Sequence, residues 1–275
     1  MSDQPMKIDV DAVLRARLPK HYRYIPRFVV RWLERVICQD QLNDILAKMA
    51  GKNSVDAATV ALNEMNISID ASGLEKLPDG RYMFVSNHPL GGLDGLALIS
   101  LLGNRYHRNI KFMVNDLLMA VEPLRDVFLP VNKYGSQSRA TAAQIDEALA
   151  SDNQFITFPA GLCSRMQPDG FIADLPWQKA AVVHAVNYRR DIVPVFFDAH
   201  NSRFFYRFAM WRKRLGIKFN IELIFLPREM VNKRGSTLRF IVGDPIPWSS
   251  LDSHAPKQEA ARLRDFIYSM ASSKP

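Results

Sequence analysis

From residue 66 onward the sequence alternates between two kinds of apolar run, and this limits the available folds more than any other feature. Strand-like runs fall at 66–70, 81–86, 110–114, 127–131, 154–158, 192–198, 219–226 and 237–242. Helix-like runs fall at 93–102, 116–126, 137–150, 176–188, 203–213 and 256–270. Parallel strands need a crossover connection, and a helix supplies it. The pattern predicts an α/β fold: a mixed, mainly parallel sheet flanked by helices on both faces. Residues 1–8 read as a loose tail, and 9–50 as two or three helices broken near Pro19 and Pro26. Leu42, Ile45, Leu46 and Met49 follow helical spacing and the pattern stops before Gly51. The expected organisation is an N-terminal helical extension over 1–65 and an α/β domain over 66–275.

Functional loops in such sheets gather beyond the carboxyl ends of the strands. Residues 84–95, Phe-Val-Ser-Asn-His-Pro-Leu-Gly-Gly-Leu-Asp-Gly, sit at such an end. On a continuous helix, His88 and Asp94 would be about 240° apart around the axis and could not meet. Gly91 and Gly92 let the backbone fold tightly enough to bring the carboxylate onto the imidazole. A His held by an Asp is a general base in waiting. The competing reading makes Asp94 a plain helix cap and His88 a surface residue. A second strand-loop segment, Gln154-Phe-Ile-Thr-Phe158 followed by Pro159-Ala-Gly-Leu-Cys-Ser-Arg165, has the same form.

Together these segments resemble the glycerolipid acyltransferase superfamily, typified by lysophosphatidic acid acyltransferases. Asn87-His88 through Asp94 is similar to its first motif and Phe158-Pro159-Ala160-Gly161 through Ser164-Arg165 to its third. Val127 through Lys133 is a weaker match to the second, and Ile192-Val-Pro-Val-Phe-Phe197 matches the fourth. The resemblance covers about residues 75–245. The chain departs from the family in four ways. The His-to-Asp spacing has one extra residue, Ala160 replaces a Glu, the third-motif Arg is displaced to Arg165, and Asn132-Lys133 stands for Asp-Arg. The replaced positions are those the family uses to hold a phosphorylated acceptor. With the Asp198-Ala-His-Asn-Ser-Arg203 stretch, the pattern looks most like the branch that O-acylates lyso-ornithine and lyso-glycine lipids.

The resemblance implies transfer of a fatty acyl group from an acyl carrier protein or coenzyme A thioester to a lyso-aminolipid hydroxyl. His88 would be the general base and Asp94 its orienting partner. Asn87, Gly91, Gly92, Lys133, Pro159, Gly161, Ser164 and Arg165 would line the substrate site. Lys133 and Arg165 are the candidates for an anionic headgroup, and backbone N–H groups at Gly161-Leu162 for the oxyanion. No bound cofactor or metal is expected. The histidines form no His-Glu-x-x-His pattern and Cys38 and Cys163 no Cys-x-x-Cys. Neither Cys163 nor Ser164 sits in a nucleophile elbow. The alternatives are a lysophosphatidic acid acyltransferase and a non-catalytic peripheral lipid-binding protein.

The net charge of +8 points to nucleic acid or an anionic surface. No zinc-finger, RNP-like or basic-zipper motif supports nucleic acid. Residues 203–218 interleave six basic and five aromatic residues with no acid. Phe204, Phe205, Arg207, Trp211 and Arg212 are therefore read as membrane-contacting. Residues 24–38 fit an interfacial helix or an ordinary amphipathic one equally well. The sequence has no apolar run long enough to span a bilayer, its first residues are unlike a signal peptide, and two cysteines suggest a reducing compartment. The expected location is cytoplasmic, peripheral on the inner face of the cell membrane.

Overall fold

The computed structural model describes residues 6–131 and 139–272. Four helices come first: α1 Val10–Arg17, α2 Arg27–Val36, α3 Gln39–Met49 and α4 Ser54–Glu64. α1 is capped by Asp9, whose side chain accepts from the Ala12 N–H, and α2 begins directly after Pro26. α4 has no counterpart in the sequence reading, because the alanines at 57, 58 and 61 carry little apolar period. Asn53 caps it by accepting from the Asp56 N–H.

The remaining elements follow from residue 68. They are β1 Ser68–Ser72, β2 Tyr82–Ser86, α5 Gly92–Arg105, β3 Ile110–Asn115, β4 Phe128–Val131, α6 Arg139–Ala150, β5 Gln154–Thr157, β6 Arg165–Met166 and β7 Ile172–Ala173. Then come α7 Ala180–Asn187, β8 Asp191–Asp198, α8 Arg203–Arg214, α9 Leu226–Val231, β9 Thr237–Val242 and α10 Pro256–Ser269. Seven strands form one sheet in the order β1-β9-β8-β2-β5-β3-β4, and β6 and β7 form a separate short hairpin. Within the large sheet only β8 and β9 run antiparallel.

The period of two in the strands divides the core. Tyr82 and Phe84 of β2 pack with α3, α4 and α5; Met83 and Val85 pack with α6, α7 and α10. The sheet is thus covered on both faces, as buried parallel strands require. A smaller cluster joins Val36 of α2, Cys163, Phe205 and Tyr206 of α8, and Phe225.

Two expected elements differ. Residues 219–226 form no strand: Ile221–Phe225 is a 3-10 turn leading into α9, with Pro227 in the first turn of that helix. A short apolar run does not distinguish strand from helix by period alone, and Glu222 in its middle is turned inward to a charge partner. The helix expected over 116–126 is two 3-10 turns, Asp116–Ala120 and Glu122–Leu124, with Pro123 in the second, where its ring and missing N–H disfavour a continuous α-helix.

The arrangement that positions the site is the parallel trio β8-β2-β5 at the sheet centre. Because these strands run the same way, the loops after Asp198, Ser86 and Thr157 leave from one edge.

Candidate active site

The loop after β2 places His88 Nδ1 2.7 Å from Asp94 Oδ2. The turn that permits this rests on Gly91, with φ +96° and ψ −122°, a region open only to glycine. A Cβ there would also come within 3.1 Å of the Leu226 side chain. Asp94 is the third residue of α5, and its carboxylate reaches back to the Leu90 and Gly91 N–H groups as well as the imidazole. It therefore accepts from the first turn of α5 and is also the partner of His88; the N-cap position expected for it is held by Gly91. Asp94 is fully buried, and burial pushes its carboxyl up from the ordinary value, opposed by His88 and the two backbone donors.

With Asp94 ionised its carboxylate can only accept, which puts the hydrogen on Nδ1 and leaves the lone pair on Nε2. The His88 side chain keeps 17% of its surface exposed. Its ring stacks on Phe158 with centroids 4.2 Å apart, and Phe158 meets Phe112 edge to face. An oriented, partly exposed imidazole on an apolar wall can take a proton from a hydroxyl.

The other residues expected to line the site divide sharply. Asn87 is spent on the fold: its amide oxygen accepts from the Phe197 N–H and its nitrogen donates to the Phe197 carbonyl, tying the β2 loop to β8. Ser164 is 2% exposed. Its N–H donates to the His88 carbonyl at 2.7 Å and its hydroxyl to Asp174 at 2.6 Å. Arg165 is not a free headgroup anchor. Its guanidinium is held by Glu222 Oε1 at 3.0 Å and by the Cys163 carbonyl at 2.7 Å, and its side chain is only 11% exposed. The Gly161 N–H donates to the Phe158 carbonyl and closes a turn, with Gly161 at φ +64°, so it is not aimed at an oxyanion. Pro159 is buried and its carbonyl accepts from Gln178, whereas Gly92 is exposed at the start of α5. Lys133 and Asn132 lie outside the described residues. The loop after β8 contributes Asn201, which is buried and donates to the Pro89 carbonyl at 3.1 Å.

Cys163 is buried, and burial pushes its thiol up despite the neighbouring Arg165. That environment gives an inert cysteine.

The residues expected at the membrane also separate. Phe204 and Trp211 are 54% and 58% exposed, and Arg207 is exposed. Phe205 is instead fully buried among Val36, Tyr206 and Phe225. Arg212 is instead tied to both oxygens of Glu222 and to Asn220 and Ile217. Helical period explains this: positions 205 and 212 lie on the inner stripe of α8, and 204, 207 and 211 on the outer one.

Two residues in this region carried no signal in the sequence reading. Asp174 and Glu222 are single acids inside apolar stretches, and that isolation is the one trace a buried, fully partnered carboxylate leaves in a sequence.

Residues 12–272 match the acyltransferase family. The chain belongs to that family. Lyso-glycine lipid O-acyltransferase of Bacteroides thetaiotaomicron is 43% identical over 270 residues, covering 98% of this chain and 99% of that protein. The protein of the same name from Phocaeicola vulgatus is also 43% identical over 270 residues, covering 98% and 96%. The solved structure of the 1-acyl-sn-glycerophosphate (LPA) acyltransferase, PlsC, from Thermotoga maritima has a TM-score of 0.45 at 14% identity, covering 96% of this chain and 99% of that one. At that level of likeness nothing further follows from it. This acyltransferase is an enzyme of lipid biosynthesis with bacterial relatives. Among its described residues no helix is long and apolar enough to cross a membrane.

Proposed function

We propose that this acyltransferase moves a fatty acyl group from a thioester to the hydroxyl of a lyso-aminolipid of the glycine-lipid type. The chemistry is carried by one observation, the 2.7 Å contact between His88 Nδ1 and the buried carboxylate of Asp94. The acceptor class is supported by the two lyso-glycine lipid O-acyltransferases that match nearly the whole chain.

In this reading the acceptor hydroxyl oxygen attacks the thioester carbonyl carbon while His88 Nε2 takes its proton. Asp94 holds Nδ1 and favours the imidazolium that forms. The tetrahedral intermediate collapses, the carbon–sulfur bond breaks, and the leaving thiolate takes the proton back from His88. The donor thioester, on acyl carrier protein or coenzyme A, is already activated, so no covalent enzyme intermediate or cofactor enters the sequence. The oxyanion donor narrows to the Leu162 N–H, since that of Gly161 is engaged. The lipid acceptor is met at an anionic membrane surface through the outer face of α8, with the enzyme peripheral on the inner face of the cell membrane.

The test compares kcat/KM for a lyso-glycine lipid and for lysophosphatidic acid with the same acyl thioester. The expected result is a preference for the lyso-glycine lipid. Faster use of lysophosphatidic acid reverses the acceptor assignment.

A further inference from the structure

Both main-chain polar groups of His88 are tied to the loop region that follows β5. Its carbonyl accepts from the Ser164 N–H at 2.7 Å. Its N–H donates to the two carboxylate oxygens of Asp174, at 3.1 and 3.2 Å. Asp174 is 1% exposed and takes two more donors, the Ser164 hydroxyl at 2.6 Å and the Trp177 indole N–H at 2.9 Å. Every group facing this carboxylate is thus a donor, and an ionised carboxylate is an acceptor only. Asp174 itself is braced from α10: its N–H donates to the Tyr268 hydroxyl at 2.8 Å and its carbonyl accepts from Arg264 at 3.0 Å. Among the described residues no Lys or Arg side chain forms an ion pair with it. A buried carboxyl group is costly to keep unless its hydrogen bonds are made. Its donors include the backbone of the one residue read as the general base.

We propose that Asp174 is a positioning residue for acyl transfer. It fixes the His88 backbone and the Ser164 loop as one rigid part, so that the imidazole meets the acceptor hydroxyl at a set height above the strand ends. Asp94 and Phe158 set the ring orientation, and Asp174 sets where the ring starts. This inference rests on the acyl-transfer reading of His88. Small misplacement of a catalytic group lowers turnover without changing substrate affinity in proportion.

The experiment measures kcat and KM on a lyso-glycine lipid with a fixed acyl thioester, together with the melting temperature. The set is the unmodified enzyme, Asp174→Ala, Asp174→Asn, Trp177→Phe and, as a reference, His88→Ala. In Asp174→Asn the amide oxygen still accepts from Trp177 and His88, and the Ser164 hydroxyl can turn to its second acceptor, the His88 carbonyl 3.3 Å away. Asp174→Ala is expected to lower kcat by about 10²-fold, the loss a misplacement of about 1 Å produces, with KM nearly unchanged. Asp174→Asn is expected to recover only part of that loss, leaving kcat about tenfold below the unmodified enzyme. Trp177→Phe removes a donor from the same carboxylate without touching His88, and is expected to lower melting temperature while keeping kcat. Equal kcat losses in Trp177→Phe and the Asp174 variants would make the carboxylate a support of the fold alone and overturn the proposal. Turnover within about twofold of the unmodified enzyme in folded Asp174→Ala overturns it too. Should Asp174→Ala not fold, the Asp174→Asn and Trp177→Phe comparison decides: a kcat loss confined to Asn supports the proposal, and none overturns it. Unchanged turnover in His88→Ala removes the acyl-transfer reading itself, whatever Asp174 does.

Discussion

A general base must be oriented, accessible and supplied with a partner that outlasts the proton transfer. His88 has all three, because Asp94 is fully buried and anchored by two backbone N–H groups as well as the ring. His88→Ala is expected to abolish transfer, and Asp94→Asn to lower it by about 10²–10⁴-fold, the contribution of a positioned base. Stability should respond in the opposite sense. The folded state raises the Asp94 carboxyl above its unfolded value, chiefly by burial. Such a group stabilises the fold in acid, and that contribution is lost as pH rises through the folded value. The Asn variant has no such loss. Its melting temperature should therefore gain on that of the unmodified protein as pH rises above the ordinary carboxyl value of 3.8. A widening deficit of the variant over that range would mean the ionised pair stabilises the fold. Glu222 follows a different logic. Two guanidinium groups, Arg165 and Arg212, share its single, fully buried carboxylate, which ties Arg165 into the fold.

At the scale of elements, α8 shows one helix serving two environments. Ser202 starts it by accepting from the Phe205 N–H, and is itself held by buried Glu229. The inner stripe, Phe205, Tyr206 and Ala209, is buried. Outside, Phe204 and Trp211 continue into Leu215 and Phe219, the last 80% exposed, and Arg203, Arg207, Lys213, Arg214 and Lys218 surround them in the exposed set. α2 presents Phe28 and Trp32 in the same way, at 72% and 53% exposure, while its Val36 enters the cluster under α8. Exposed aromatics and cations on one segment suit the headgroup boundary of an anionic bilayer. Replacing Phe204, Trp211 and Phe219 together with Ser should release the protein from phosphatidylglycerol vesicles in a sedimentation assay. Added salt should weaken binding of the unmodified protein. Undiminished binding by the triple variant would place the membrane contact elsewhere.

For the whole molecule, the question is where one core ends. Val55, Ala57, Ala58, Ala61, Leu62 and Met65 of the α4 region share a cluster with Phe84, Phe112 and Val193 of the sheet. The approach of α4 to α5 is close enough that a Cβ on Gly103 would lie 2.4 Å from the Val55 side chain. Burying Val55, Leu62 and Met65 contributes about 5–9 kcal/mol at about 1.5–3 kcal/mol each. That is comparable with the whole net stability of a domain, about 5–15 kcal/mol. A fragment of residues 66–275 is therefore expected to lack a cooperative unfolding transition, measured by circular dichroism in urea, while a fragment keeping α3 and α4 should retain one. Cooperative unfolding of the shorter fragment would make the N-terminal helices a true extension.

The sequence by itself marked most of the sheet strands, because buried parallel strands are continuous apolar runs between helical periods, and it made the His88–Asp94 meeting possible, because Gly91 can take the positive φ that the turn requires. It also marked the acyltransferase family through motif order. The tertiary structure alone decided which polar residues face substrate and which face the protein. Asn87, Ser164 and Arg165 belong to motifs, yet their partners are Phe197, Asp174 and Glu222, 110, 10 and 57 residues away. No local spacing encodes such pairings. The same holds for Phe205 and Phe204, adjacent in the chain and opposite in fate. Helical period separates them into two stripes, but only the packing of Val36 and Phe225 against α8 decides which stripe is inside.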